Sequence, residues 1–516
     1  MNEKIRNNGP VVLVSRDISF TFPLSYAYLT GYLKEKGENV RLLFRDKSHG
    51  QLVQEIMALN PVLVGFGNLY PELKEISEII KLLNQAGRKF PIVIGGQMVS
   101  PIPEFALSIT GAEFGVIGEG EIILYKLVQA LRKNENPDDI HGIAVRKGDK
   151  VKINPPGEII MDISELPAIP YELFNEDKWL PIGKWYAGNV PQPHWRMDDR
   201  VVNIHGGRGC PFTCNFCYHH GRARYRPMEK MMQEAKEAIE RFNANFLYFS
   251  DDLVVGTPKR ARELIDGIRK LKKPIEYSIS ARFDILKRMD DTLLQELKDT
   301  GCRIMGLGIE SGSDRILQNI IGKKYNKETV LTGLQRLKKV GILPTVSIMV
   351  GQHSETREDV EQSIELMRQS VRENPNIQYA FTITTPFPGS ELYNRIFEEG
   401  YLKDDFEFYE KYFSNKFEWN QVVNMSAMSD EEVMQMHQKI NRVYKDEVKK
   451  ALGKRVILLE YLQIAIIKIK NPIIKKIIRI FFRGKFLEKL EKLIDISFEI
   501  IIRQMEKIIL KARGMV

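Results

Sequence analysis

Cysteine is scarce: four in 516 residues, with three of them crowded between positions 210 and 217. So few, so placed, cannot staple distant parts of a long chain, which excludes an extracellular disulfide framework and fits a reducing cytoplasm. The N-terminus, MNEKIRNNGPVVLVSRD, lacks a long apolar core followed by a small-residue cleavage site, so no secretory signal is expected. Even the apolar C-terminal tail never reaches about 18 uninterrupted apolar residues, which argues against a membrane span. Excess charge is also missing from most of the chain. The formal charge is +9, but residues 453–516 hold 15 Lys and Arg against 6 Asp and Glu, leaving 61 of 76 basic and 61 of 67 acidic residues elsewhere. A balanced body suits a small or neutral substrate, and the basic tail suits something anionic. With 43% hydrophobic and 28% charged residues the chain is neither disordered nor collagen-like, and its length predicts three or so compact units.

From Val11 to about Lys133 short apolar runs (VVLVS, NVRLLF, VLVGFG, PIVIGG, EFGVIGEGE) alternate with helix-length amphipathic stretches. This pattern predicts a parallel sheet covered on both faces, a doubly wound α/β domain over residues 1–150. Ligands of such domains sit at the carboxyl ends of the strands, which places Gly95, Gly96, Gly118 and Gly120 on one rim. The composition turns Pro- and Gly-rich after residue 134, and residues 151–200 read as a linker. A second series begins at Val201 with VVNIH, NFLYFSDD, IEYSISAR, RIMGLGIES, LPTVSIMVG and YAFTITTPFPG. Six βα units predict a full or partial β/α barrel over 201–400, whose chemistry belongs at the carboxyl strand ends. Residues 401–516 read as mostly helical.

The segment GGRGCPFTCNFCYHH follows the first strand of that series and spaces Cys210, Cys214 and Cys217 as CxxxCxxC. Three thiolates in one loop can hold three irons of a cubic [4Fe-4S] cluster and leave the fourth open to a chelating ligand. The alternative is a structural zinc with His219 or His220 as fourth ligand, which would make the chain a zinc-stabilised binding protein; zinc sites usually draw their ligands from two separated pairs. Cys302, far from this loop in sequence, reads as a buried core thiol.

Cys210, Cys214, Phe216 and Cys217 match CxxxCxΦC with Φ aromatic, so the segment resembles the radical S-adenosylmethionine (radical SAM) superfamily. YFSDD at 248–252, SISAR at 278–282, GLGIESGSD at 306–314, SETRED at 354–359 and PFPGSELY at 386–393 resemble strand-end motifs of one branch, and GGQMVSPIPE at 95–104 with VIGEGE at 116–121 resembles its N-terminal cobalamin (B12)-binding domain. The resemblance spans residues 10 to about 445. It implies a Rossmann-like cobalamin-binding domain, a TIM-like radical SAM barrel, and cleavage of SAM at the cluster to a 5′-deoxyadenosyl radical. By position it implies that Ser250, Asp251 and Asp252 meet the SAM amino group, although the family's usual Gly-Gly-Glu is absent. It also implies that Ser280, Arg282 and Glu310 meet the ribose and carboxylate; a salt-bridge network in the barrel mouth is the other reading of these three. Cobalamin is weighed against a first domain that has lost its ligand. Cobalamin-dependent mutases supply an axial histidine from a DxHxxG motif, and RDKSHGQL carries Asp46 and His49 at the wrong spacing, so His49 is not taken as a ligand. The function implied first is methylation of an unactivated carbon of a small molecule; a radical cyclase, ligase or oxidoreductase is the runner-up. A reducing partner such as flavodoxin or ferredoxin is implied, and nucleic acid is not expected.

In the tail, residues 472–486 read PIIKKIIRIFFRGKF. At 100° per residue Ile473, Ile474, Ile477, Ile478, Ile480 and Phe481 fall on one half of the helical wheel, and Lys475, Lys476, Arg479 and Arg483 on the other. Two readings stay open: a helix in the headgroup region at the inner membrane face, suited to a lipid-like substrate, or a terminal bundle docked on the barrel with a solvated basic face. If the first holds, truncation after Leu452 reduces cosedimentation with anionic vesicles, and salt weakens the binding of the full chain by screening its basic residues. Equal solubility of the two proteins beside such vesicles would leave the docked bundle.

Overall fold

The computed structural model describes residues 8–16, 22–67, 69–180, 199–218, 221–413 and 423–468, with the backbone alone from 453 onward. The first apolar runs form β1 (Val11–Ser15), β2 (Val40–Phe44), β3 (Leu63–Gly67), β4 (Ile92–Gly95) and β5 (Phe114–Val116), parallel and in the order β2-β1-β3-β4-β5. Alternation along a strand sends neighbouring side chains to opposite faces, and here each face meets its own helices. Val12, Val14, Val64, Ile92 and Ile94 pack with Leu52, Ile56, Leu73, Ile76 and Phe105 from helices His49–Leu59, Leu73–Gln85 and Pro103–Thr110. Val11, Leu13, Leu63 and Val93 pack with Tyr26, Leu33, Ile123 and Leu127 from helices Leu24–Glu35 and Gly120–Lys133. This is the expected doubly wound sheet, and its order reverses at the β1/β3 pair, where such sheets open a crevice.

The stretch from residue 134 is more than a linker. Ile143–Lys147 (β6) and Lys150–Ile153 (β7) form a hairpin that extends the sheet antiparallel to β5, so the sheet runs past residue 150. The turn is carried by Gly148 at φ +62°. Further on, Tyr171 and Trp179 join Phe22 of the first domain and Phe242 of the second, with ring centroids 5.0–5.9 Å apart. Apolar residues spaced without a period gave no helix or strand signal there, because they fill a groove between domains and not one face of an element.

The second series opens with β8 (Val201–Ile204), then a two-residue ladder of β9 (Gly207–Arg208) and β10 (Arg224–Tyr225) that brackets the cysteine segment. It continues with β11 (Phe246–Phe249), β12 (Glu276–Ala281), β13 (Cys302–Glu310), β14 (Leu343–Val350) and β15 (Gln378–Ile383). The parallel strands lie in chain order, β8-β11-β12-β13-β14-β15, which is barrel winding, and the sheet is open between its ends. The structure is therefore a partial β/α barrel. At its β15 edge Tyr444, from the part of helix Asp430–Lys468 that precedes Leu452, donates to the Ile377 carbonyl at 3.0 Å, and its ring meets Tyr379 and Phe381. Residues 1–451 make one compact unit, and the chain from Leu452 a second. The basic segment 472–486 lies outside the described residues. No described helix is long and apolar enough to cross a membrane.

Trp179 is 2% exposed and ties the connecting stretch to both domains. Trp179→Ala is expected to cost about 3–5 kcal/mol, the usual range for emptying a buried aromatic site, read as a lowered urea midpoint. A change within about 0.5 kcal/mol, as for a surface site, would return this stretch to a plain linker.

Candidate functional site

The carboxyl ends of β3, β4 and β5 are glycine loops. Gly65 lies within β3 and Gly67 ends it, Gly95 ends β4, Gly96 follows at φ +82°, Gly118 follows β5 at φ +84°, and Gly120 opens a helix. All six line one cavity of about 400 Å³, within the roughly 300–1,000 Å³ of small-molecule and cofactor sites. Positive φ at Gly96 and Gly118 admits glycine where other residues are strained, and the bare backbone leaves room for a ligand's flat face. Tyr26 fixes the crevice at its base. Its hydroxyl accepts from the Gly67 N–H at 2.7 Å and lies 2.7 and 2.6 Å from the Val14 and Gly67 carbonyls, so one side chain joins the ends of β1 and β3. Burial pushes that hydroxyl's pKa up, so it stays protonated. Ser100 accepts from the Gly118 N–H at 2.9 Å and links the next two loops. The facing wall comes from the barrel: His205, Gly207, Arg208, Gly209, Ser250 and Asp252.

Cys210 adjoins that wall. Cys214 is buried and Cys210 and Cys217 are half-buried. The loop is anchored through Asn215, whose side-chain amide donates to the Ile320 carbonyl at 2.7 Å and whose own carbonyl accepts from the Leu392 N–H at 2.9 Å. Phe216 packs against Cys214, Ile316 and Ile321, which explains the aromatic at this place: it wedges the loop onto the barrel. Arg282 lies with Nη1 3.4 Å from Cys214 Sγ, its guanidinium 3.6 Å above the Phe212 ring and its Nε 3.0 Å from Asp284. Burial pushes the Cys210 thiol up and the Cys217 thiol up to about 12, with the neighbouring cysteines adding to both. A metal ion bound by such thiols would favour their thiolate form. Among the described residues no group of three or more His, Cys, Asp or Glu closes round a single metal ion; His219 and His220, the candidate zinc ligands, lie outside them. A cubic cluster asks for a different arrangement, since each thiolate meets its own iron.

The other expected site residues divide. Ser250 and Asp252 face the cavity. Asp251 turns inward, accepting from the Gly206 N–H at 2.6 Å with its Oδ1 3.1 Å from His205 Nδ1. Ser280 donates to the Asp251 carbonyl at 3.0 Å and so braces the same turn. The ladder shifts register between Gly308 and Glu310, and Glu310 takes φ +71°; this irregularity aims its side chain at the barrel interior. There it accepts from Lys323 at 2.9 Å and from Ser347 at 3.0 Å. Burial, the largest single influence, lowers the Lys323 pKa, but the charges of Glu310, Tyr325 and Cys214 with the hydrogen bond to Glu310 together outweigh it and raise it. Arg282 and Glu310 thus already have partners in the barrel mouth. Cys302 is fully buried in β13, with its thiol pushed up to about 12 by burial.

Family models match both halves: the radical SAM superfamily over residues 204–367 and the B12 binding domain over 11–128. The chain belongs to the radical SAM superfamily, in a branch with an N-terminal B12-binding domain. As such it is an enzyme. It is 28% identical over 380 residues to an uncharacterized methyltransferase of Pyrococcus horikoshii, covering 72% of this chain and 77% of the relative. It is 22% identical over 471 residues to the cytidylyl-2-hydroxyethylphosphonate methyltransferase of Streptomyces wedmorensis (82% and 86%), and 26% identical over 386 residues to the anaerobic magnesium-protoporphyrin IX monomethyl ester cyclase of Rubrivivax gelatinosus (72% and 66%). Its fold is similar to that of the radical S-adenosylmethionine methyltransferase TsrM of Kitasatospora setae, solved with cobalamin and a [4Fe-4S] cluster bound (TM-score 0.59, 19% identity, 76% of this chain and 75% of that one). It is also similar to the cobalamin-dependent S-adenosylmethionine radical enzyme OxsB (TM-score 0.64, 16% identity, 95% and 75%).

In this radical SAM chain an ionic seam that motif reading missed joins the two domains. Arg208, two residues before Cys210, pairs with Glu121 at 2.6 Å and Glu119 at 3.0 Å; Arg224, on the partner strand of the ladder, pairs with Glu119 and donates to the Ile160 carbonyl at 2.5 Å. The acidic pair alternates with the rim glycines in VIGEGE, so the segment that lines the cavity also holds the cysteine loop. Its only signal in the sequence was a pair of carboxylates beside two glycines, and their partners lie some ninety residues away. Gln352, Glu355 and Thr384 were also missed. They follow β14 and β15, are fully buried, and leave Gln352 Oε1 and Nε2, Glu355 Oε1 and Thr384 Oγ1 without partners among the described residues. Burial raises the Glu355 carboxyl to about 8.

The Glu121 side chain is 5% exposed, so Glu121→Ala strands Arg208 in a low-dielectric site. The expected loss is about 3 kcal/mol in urea unfolding, at the low end for breaking a buried pair because Glu119 retains the arginine. Arg208→Ala with Glu121→Ala together should lose less than the two single losses summed.

Proposed function

We propose that the chain is a methyltransferase that uses cobalamin, a [4Fe-4S] cluster and SAM to methylate an unactivated carbon of a small molecule. The observation that carries this reading is the single seam on which the glycine-rimmed cavity and the cysteine loop meet, with Gly209 on the cavity wall and Cys210 next to it. The donors fit the groups. Cys210, Cys214 and Cys217 would hold three irons, and Arg282 offsets the negative charge at Cys214. Gly95, Gly96, Gly118 and Gly120 would receive the corrin or its nucleotide tail. When bound, the cluster with SAM supplies a carbon-centred radical and cobalamin a transferable methyl group.

The chain's own residues prepare the place for that chemistry. Leu13, Leu29, Val116 and Leu124 make the cavity walls largely apolar, which keeps water from a reactive carbon. Ser250 and Asp252 reach the same space and would take the SAM amino group, Asp252 as the charge partner. Arg282 and Ser280 would orient the SAM carboxylate and ribose. Glu310, held by Lys323 and Ser347, would offer an acceptor to a ribose hydroxyl only by sharing its oxygens. Single electrons would come from a flavodoxin or ferredoxin. The methyltransferase names of two relatives support methyl transfer; ring closure, the activity named for a third, uses the same frame and is separated from it by product mass. Contact with a membrane and a lipid-like substrate rest on the basic tail alone.

Cys214→Ala is expected to abolish 5′-deoxyadenosine formation in the reconstituted enzyme, while Cys302→Ala retains most of it; full cleavage by Cys214→Ala would end the cluster reading. Gly96→Leu should lose stoichiometric hydroxocobalamin, read from the visible spectrum, with the circular dichroism of the fold retained. A wild-type protein that stays colourless with excess hydroxocobalamin would leave a cobalamin-independent radical enzyme.

A further inference from the structure

Part of the cysteine loop reaches the surface of the barrel away from the glycine rim. Pro211 and Thr213 are exposed, and a side chain added at Gly322 would meet the Thr213 carbonyl, so the turn at residues 322–324 lies against the loop. Beside it is a groove of about 420 Å³, lined by that turn, by helix Phe283–Arg288 and by helix Lys327–Val340. Charge is its first distinguishing feature. Lys287 and Lys324 stand exposed in its lining with no carboxylate paired to either among the described residues, and Arg288 and Lys327, also exposed, adjoin it. Arg336 is committed to the Leu286 carbonyl at 2.9 Å and to Asp291 at 2.8 Å, and Asp284 to Arg282 at 3.0 Å. Glu328 is the carboxylate in the lining, so the groove is positive on balance.

Depth is the second feature. The lining includes Tyr325, a buried side chain whose ring lies 5.9 Å from the Arg282 guanidinium, and Arg282 Nη1 is 3.4 Å from Cys214 Sγ. Two side chains therefore separate the groove from a cysteine of the loop. The Tyr325 hydroxyl donates to the Gly308 carbonyl at 2.5 Å, and Gly333 lacks a side chain where one would meet the Phe283 ring at 2.9 Å. Close packing of this kind makes the groove a preformed feature of the barrel.

We propose that this groove docks an acidic protein of the flavodoxin type, which passes single electrons to a cluster held by Cys210, Cys214 and Cys217. The inference rests on the cluster reading above and adds the surface on which the donor sits. In each transfer the anionic flavin hydroquinone gives one electron to the cluster and becomes the neutral semiquinone, with no proton moved and no bond made. Electron transfer weakens steeply with distance, which favours a surface two side chains from a ligating cysteine. Unpaired lysines there attract carboxylates and steer an acidic partner into one orientation. A concave floor suits a flavin, whose ring edge projects from its protein, better than an iron–sulfur centre sheathed in its own loop.

The test uses the full chain with its cluster reconstituted. It measures the affinity for an acidic flavodoxin, and 5′-deoxyadenosine formation from SAM driven either by that flavodoxin or by dithionite. In the double variant Lys287→Glu, Lys324→Glu the affinity and the flavodoxin-driven rate are each expected to fall about tenfold or more, while the dithionite-driven rate stays within about twofold of the wild type. Salt is expected to weaken flavodoxin binding to the wild type and to change that of the variant little. An unchanged affinity in the variant would overturn the proposal, as would a wild type that dithionite drives and flavodoxin does not. A wild type that makes no 5′-deoxyadenosine even with dithionite would instead overturn the cluster reading. Carbodiimide cross-linking of the wild type to flavodoxin carboxylates keeps the test open if the variant folds poorly: cross-links at Lys287 or Lys324 support the groove, and cross-links confined to other lysines overturn it.

Discussion

Two sheets turn the carboxyl ends of their parallel strands toward each other, and the arginine–glutamate seam between them fixes everything that follows. Strand ends are where backbone groups are left over and where loops can carry chemistry, but one sheet alone offers only one wall. Arg208 and Arg224 reach from the ladder around the cysteine loop to Glu119 and Glu121 on the glycine rim, and the cavity is the space this pairing encloses. Because the pairs are mostly buried, their desolvation cost is offset only in good mutual geometry, so they act as a register between the domains and are a weak source of net stability.

The seam gives each wall a separate task. On the first domain's side, glycines and apolar side chains offer a surface without competing donors, suited to a large flat cofactor. On the barrel's side, the polar residues are concentrated: His205, Arg208, Ser250 and Asp252 face the cavity, while beside the cysteine loop Arg282 meets Cys214 and Asp284, and Lys323 pairs with Glu310. Charge is thus gathered on the barrel's side of the cavity and sparse on the first domain's side.

The stretch between the domains shows how composition misleads. Proline and glycine near residues 155–170 suggest a loose tether, yet the hairpin of β6 and β7 and the rings of Tyr171 and Trp179 make it a packed joint. Such packing has no period for the eye to find, since its apolar residues serve a groove shared by two domains.

Local chemistry settled what the sequence could show alone: apolar runs at helix-length intervals determine parallel strands, glycines after those strands determine a ligand rim, and three cysteines within eight residues determine a metal-binding loop. These are properties of short segments; the strands form in the structure, and the glycines line its cavity. The tertiary structure decided what each side chain faces. Asp251 and Asp252 are neighbours in the bend that follows β11, which sends one under His205 and the other into the cavity. Glu119 and Glu121 became a seam, Glu310 was re-aimed by a shift of register, and Asp46 and His49 were drawn to other partners. Those outcomes depend on residues tens of positions away, brought near only when the two sheets close on one another, and no local pattern encodes a distance of that kind.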